Sequence, residues 1–166
     1  MYKAMILISS LQILSLLFVN VNFSLIEAHI PENAPNVIVK KLDKYKVLFL
    51  PYPKEPIKDD NTTLLNLNIV DEDGDLKNIY SSVIISNKKN SSIVFQTPFK
   101  FYTTADISLP FSFPDNGDFI VSLLTKINGD TNYETVPIIA NFDLKVRTDN
   151  NNNFFDSILN MFDKLA

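Results

Sequence analysis

Residues 65–75 read Leu65-Asn66-Leu67-Asn68-Ile69-Val70-Asp71-Glu72-Asp73-Gly74-Asp75, and this stretch decides the class of fold. Apolar and amide side chains alternate with period two. In an extended strand that puts Leu65, Leu67 and Ile69 on one face and the asparagines on the other. The acidic run around Gly74 then supplies turn chemistry, because short carboxylates bond their own backbone and glycine accepts the tight conformation.

The same period recurs on either side. Upstream, Val37 and Val39 and then Tyr45, Val47 and Phe49 alternate with Lys40, Lys44 and Lys46, and Pro51, Pro53 and Pro56 are expected to end that strand at a sheet edge. Downstream, strands are predicted over 79–85, 91–101, 107–113 and 119–127, the last pairing with 135–146. Asp115-Asn116-Gly117 reads as a hairpin turn and Asn128-Gly129-Asp130 as another. With thirteen Phe, six Tyr and no Trp, the aromatics fit a core filled between two sheets. Phe95, Phe99, Phe101, Phe111, Phe113 and Phe119 are accordingly assigned to the core rather than to a stacking platform for sugars or bases. The expected fold is all-β, an immunoglobulin-like antiparallel β-sandwich.

Two flanking segments break the period. Residues 1–28 carry Lys3, then a nearly uninterrupted apolar run, then Asn20, Asn22 and a small residue at Ala28, the layout of a signal peptide or an N-terminal membrane anchor. The chain is therefore expected to be extracytoplasmic, secreted or held to the membrane by that hydrophobic leader helix. The sandwich is assigned to 29–147 and an asparagine-rich linker to 148–153. Residues 154–166 are expected to form a short C-terminal amphipathic helix with Phe154, Phe155, Ile158, Leu159 and Phe162 along one stripe. Thirteen residues are marginal as a free helix, so this one is expected to dock on its own domain, on a partner or on a membrane surface.

A formal net charge of -4 with scattered lysines argues against nucleic acid as a partner, since phosphate backbones call for a clustered basic face. The pairs Lys40-Lys41 and Lys88-Lys89 read as solvated strand ends. The chain has no cysteine, which excludes thiol catalysis, zinc–thiolate sites and disulfides. There is one histidine, no Gly-x-Ser-x-Gly elbow and no glycine-rich phosphate loop, so a non-enzymatic role is expected.

Three sets of residues remain as candidate sites. If a peptidase cuts after Ala28, His29 becomes the N-terminus, and its α-amino group and imidazole offer two nitrogen donors in the plane that Cu(II) prefers. Asp71, Asp73 and Asp75 place carboxylates at alternate positions as a calcium loop does, without the distal bidentate glutamate. Asn61-Thr62-Thr63 and Asn90-Ser91-Ser92 are glycosylation sequons at Asn61 and Asn90.

Over 29–146 the chain resembles the YtkA-like secreted immunoglobulin-like domains, of the kind found in ammonia-oxidising archaea. The residues carrying the resemblance are Tyr45-Lys46-Val47-Leu48-Phe49, the prolines Pro51, Pro53 and Pro56, the strand from Leu65 to Ile69 followed by Asp71 and Gly74, and Gly117-Asp118-Phe119-Ile120-Val121. The resemblance implies an exported sandwich, sometimes placed beside copper handling, although copper-linked members carry more His and Met than this chain. His29 as an N-terminus is similar to the start of CopC-like copper carriers, which use further ligands. The expected function is thus an exported module for protein interaction or envelope structure, with no cofactor and an unidentified protein or membrane-surface partner. A homo-oligomer through the C-terminal helix is one form this could take. The alternative is a low-capacity copper-binding or copper-chaperone domain.

Overall fold

The computed structural model describes residues 30–149 except Lys77, and for Asp75 the backbone alone. The alternation becomes ten strands among these residues: β1 (Ile38–Leu42), β2 (Tyr45–Tyr52), β3 (Leu64–Asp71), β4 (Gly74–Asp75), β5 (Ile79–Asn87), β6 (Ile93–Gln96), β7 (Lys100–Tyr102), β8 (Ile107–Pro110), β9 (Gly117–Ile127) and β10 (Ile138–Val146). They form two five-stranded antiparallel sheets. The first runs β1-β2-β3, with β4 and β8 both paired to the far side of β3. The second runs β10-β9-β5, with β6 and β7 both paired to the far side of β5. No described residue is helical, and the leader and C-terminal segment lie outside the described residues.

In β2 and β3 the inward face is the one the period-two pattern predicts. Val47, Phe49, Leu65, Leu67 and Ile69 of the first sheet meet Phe119, Val121, Leu123, Ala140, Phe142 and Leu144 of the second in a single core. Phe49 and Phe142 close across the middle, their ring centroids 4.9 Å apart. Phe95, Phe111, Phe113 and Phe119 make a chain of rings at 5.1, 4.8 and 5.0 Å along one side. Each fully buried aromatic contributes roughly 1.5–3 kcal/mol of transfer free energy.

Where the structure departs from the sequence-based expectation, the cause is local. β2 does not stop before Pro51, which pairs with Leu65 and is buried. β1 ends its pairing at Phe49, so proline stands where the strand has one neighbour and its missing N–H is tolerated. β1 itself is an exposed edge rather than half-buried, and Lys40 and Lys41 lie within it. The strand expected over 91–101 is two, β6 and β7, because Pro98 interrupts the ladder. Across the gap Thr97 holds the sheet together: its N–H donates to the Val83 carbonyl, its Oγ1 accepts from the Val83 N–H, both at 2.9 Å, and its carbonyl accepts from Ser82 Oγ at 2.6 Å. Asp115-Asn116-Gly117 is not a hairpin. It carries the chain from β8 in the first sheet to β9 in the second, with Gly117 at φ 131°, a left-handed value that suits glycine. β10 starts at Ile138, after Pro137, and not at residue 135.

Candidate functional site

Three loops gather at one end of the sandwich: the β1–β2 turn, the β3–β4 turn and the β9–β10 connection. Their centre is Asp130. Its Oδ2 accepts from Tyr45 Oη at 2.5 Å and pairs with Lys44 Nζ at 3.0 Å, while Oδ1 accepts from the Asn132 N–H at 2.9 Å. These donors, led by the Tyr45 hydroxyl, hold the Asp130 carboxyl down to a pKa of about 2. Burial and the neighbouring carboxylate push the Tyr45 phenol up, so it stays protonated as the donor. Tyr133 packs edge-on against Tyr45 at 5.9 Å. Tyr45 belongs to the first sheet and Asp130 to the loop of the second, so this cluster is a clamp between sheets, with each polar group committed to another.

Beside the clamp an open cleft of about 480 Å³ is lined by Lys41, Lys44, Lys46, Glu32 and the β3–β4 turn Asp71, Glu72, Asp73. Ile30 is buried at its floor next to Leu48, and Lys46 Nζ meets Glu32 Oε1 at 2.6 Å. These contacts hold the first described residues against the outer face of the first sheet. His29, one residue earlier, lies outside the described residues. The β3–β4 turn is the tight acidic hairpin that the sequence predicts. The Asp71 carboxylate accepts from the Asp73 N–H at 2.9 Å, and Gly74 takes φ 117°. Among the described residues no three His, Cys, Asp or Glu side chains stand where they could share a metal ion, and the side chain of Asp75 is not described.

The feature that sequence reasoning missed is the outer face of the second sheet. Tyr80, Phe99 and Phe101 are 47, 43 and 51% exposed, so the assignment of Phe99 and Phe101 to the core is corrected. The Tyr80 and Phe101 rings lie 5.2 Å apart, and Lys126, opposite Tyr80 on β9, sits over the Phe99 ring at 5.3 Å. Next to them Ile84 of β5 and Leu124 and Ile120 of β9 also point outward, alternating with Ser82 and Ser122, and exposed Ile139 lies opposite Leu124 on β10. The physical cause is the break at Pro98. A continuous strand would keep Phe95, Phe99 and Phe101 on one face. With the ladder interrupted, β7 turns Tyr102 inward opposite Ile79 and Phe101 outward opposite Tyr80. A proline inside an alternating run was the available signal.

The two sequons differ. Asn61 is exposed while the hydroxyl-bearing Thr63 is fully buried; Asn90 and Ser92 are both exposed in the β5–β6 loop, where Asn90 Oδ1 accepts from the Ser92 N–H at 3.0 Å and from its hydroxyl at 2.8 Å. The stripe Phe154, Phe155, Ile158, Leu159 and Phe162 lies outside the described residues.

Fold and surface together define an all-β sandwich module with an exposed aromatic cluster, Tyr80, Phe99 and Phe101, on one outer face. No family model matches the chain, and no curated protein does. Among solved structures it is similar to the PmoD soluble domain from Methylocystis sp. ATCC 49242 (Rockwell), with a TM-score of 0.47 and 13% identity, covering 66% of this chain and 96% of that one.

Proposed function

We propose that the chain is an exported, non-enzymatic β-sandwich of the immunoglobulin-like, YtkA-like kind that works by contact with a protein of the cell envelope. The observation that carries this reading is the rim formed by Tyr80, Phe99 and Phe101 with Lys126. Three large rings held outward beside a cation match the aromatic-rich composition of contact surfaces, and clustered exposed apolar groups of this kind mark interaction sites. Serine at both Tyr80 and Phe101 removes the rings from solvent-facing positions and leaves the core untouched. The double variant should melt within a few degrees of the parent and lose most of its chemical cross-linking to envelope proteins in cells. Unchanged cross-linking with an unchanged melt would refute the contact reading.

A second reading, copper binding at His29, has its own support. Buried Ile30 and the Lys46–Glu32 pair tie the first described residues to a cleft that carries Glu32, Asp71, Glu72 and Asp73, so carboxylates stand beside the position that follows His29. A freed α-amino group, the imidazole and a carboxylate form an N/O donor set suited to Cu(II). A chain starting at His29 should bind Cu(II) saturably, and one extra residue ahead of it should weaken binding at least tenfold. Equal titration curves for the two chains would remove the copper reading.

A further inference from the structure

All three glycines of the chain follow an asparagine or aspartate, and two stand in the same tripeptide, Asn-Gly-Asp, at 116–118 and 128–130. An asparagine before glycine carries reactive chemistry of its own, because no side chain shields the glycine nitrogen from the asparagine amide carbon. The two copies share one local sequence, so a difference in their reactivity is made by the fold.

At 128–130 the fold leaves the reacting groups open. Ile127–Asp130 is a tight turn closed by the Asp130 N–H on the Ile127 carbonyl at 3.2 Å, with Gly129 at φ 81°. Asn128 and Gly129 are both exposed, and among the described residues no hydrogen bond reaches the Asn128 side chain or the Gly129 N–H. A Cβ placed on Gly129 would meet nothing within 4 Å. Glycine accepts either sign of φ, so the Asn128–Gly129 peptide can flip beneath the closing bond and carry its nitrogen toward the Asn128 side chain. At 116–118 the same groups are held. Asn116 Nδ2 donates to Thr148 Oγ1 at 2.8 Å, and Gly117 is already the first residue of β9, paired with Val146.

We propose that Asn128 is a site of spontaneous deamidation in the folded protein, and that the product loosens the Asp130 clamp. The Gly129 nitrogen gives up its proton and bonds to Asn128 Cγ. The Cγ–Nδ2 bond breaks, and Nδ2 leaves with that proton as ammonia. Water then opens the five-membered imide at one of its two carbonyls, giving aspartate or isoaspartate at 128. Isoaspartate routes the main chain through Cβ and Cγ, which adds one atom between Ile127 and Asp130. A turn this tight cannot take up that atom without moving Asp130. Asp130 in turn ties Lys44 and Tyr45, at the start of β2, to the second sheet. Neither the aromatic surface nor His29 takes part, so the outcome is independent of both functional readings.

The test is incubation of the purified full chain in mildly alkaline buffer, followed by peptide mapping with fragmentation that separates isoaspartate from aspartate. In the folded protein Asn128 should convert at least about tenfold faster than Asn116, the factor expected if one or two ordinary hydrogen bonds must open first at 116. In urea the two should convert at similar rates. The isoaspartate form, isolated by chromatography, should melt several degrees below fresh protein. Asn128→Ala should keep its melting temperature through the same incubation. Four results would each overturn the proposal: Asn116 converting as fast as Asn128 in the folded chain, no conversion at Asn128 while the unfolded chain converts, an isoaspartate form that melts with the parent, or an equal loss in the alanine variant.

Discussion

At the scale of single residues, the Asp130 clamp carries most of the local consequences. Folding lowers this carboxyl from an ordinary value of 3.8 to about 2, chiefly through the hydroxyl of Tyr45 and the ammonium of Lys44. Because the folded pKa lies below the unfolded one, the unfolded chain takes up the proton first as pH falls. The contribution of Asp130 to stability is therefore complete above about pH 4 and is lost as pH drops through 2. Thermal melts between pH 7 and pH 2 should show the parent losing stability most steeply below pH 4. Asp130→Asn should melt lower at neutral pH and show a shallower decline in the acid window. Parallel pH profiles for the two proteins would contradict this account of the clamp. The sequence marked Asp130 as a turn residue and nothing more. Its partner Tyr45 is 85 positions away, and no periodicity in a sequence reports a bond of that separation.

Among the elements, the edge of the second sheet shows how much was legible and where reading stopped. Strands β2, β3, β5, β9 and β10 followed from alternation because each has one face in the core, and a one-residue slip would expose a whole row of apolar side chains. β6 and β7 did not, since an edge strand need bury neither face fully and its pattern is weaker. Pro98 could be seen in the sequence. Its effect on which way Phe99 and Phe101 point depended on Thr97 bridging the gap, and that is a tertiary fact. Thr97 supplies the acceptor for the buried Val83 N–H. Thr97→Val keeps the shape and removes that acceptor, which should cost about 1–2 kcal/mol. Urea unfolding should show a lower midpoint with an unchanged slope, and Thr97→Ser should recover most of the loss. A midpoint unmoved by valine would mean that Thr97 does not hold the two halves of the edge together.

For the whole molecule, the sandwich was readable because most of its ladders join strands whose inward faces the period-two pattern already fixed. Its surface chemistry was not, because the outer faces are decided by which segments return to cover them. One consequence concerns timing. Asn61 of the first sequon sits on the surface while Thr63, two positions on, has its hydroxyl sealed inside with no hydrogen-bond partner among the described residues. An enzyme that needs this hydroxyl can reach it only before β3 is laid into the first sheet, whereas Asn90 and Ser92 stay open on the finished protein. In a cell that glycosylates exported asparagines, the ratio of sugar at the two positions is then a clock, recording whether the modifying enzyme or the folding chain arrived first.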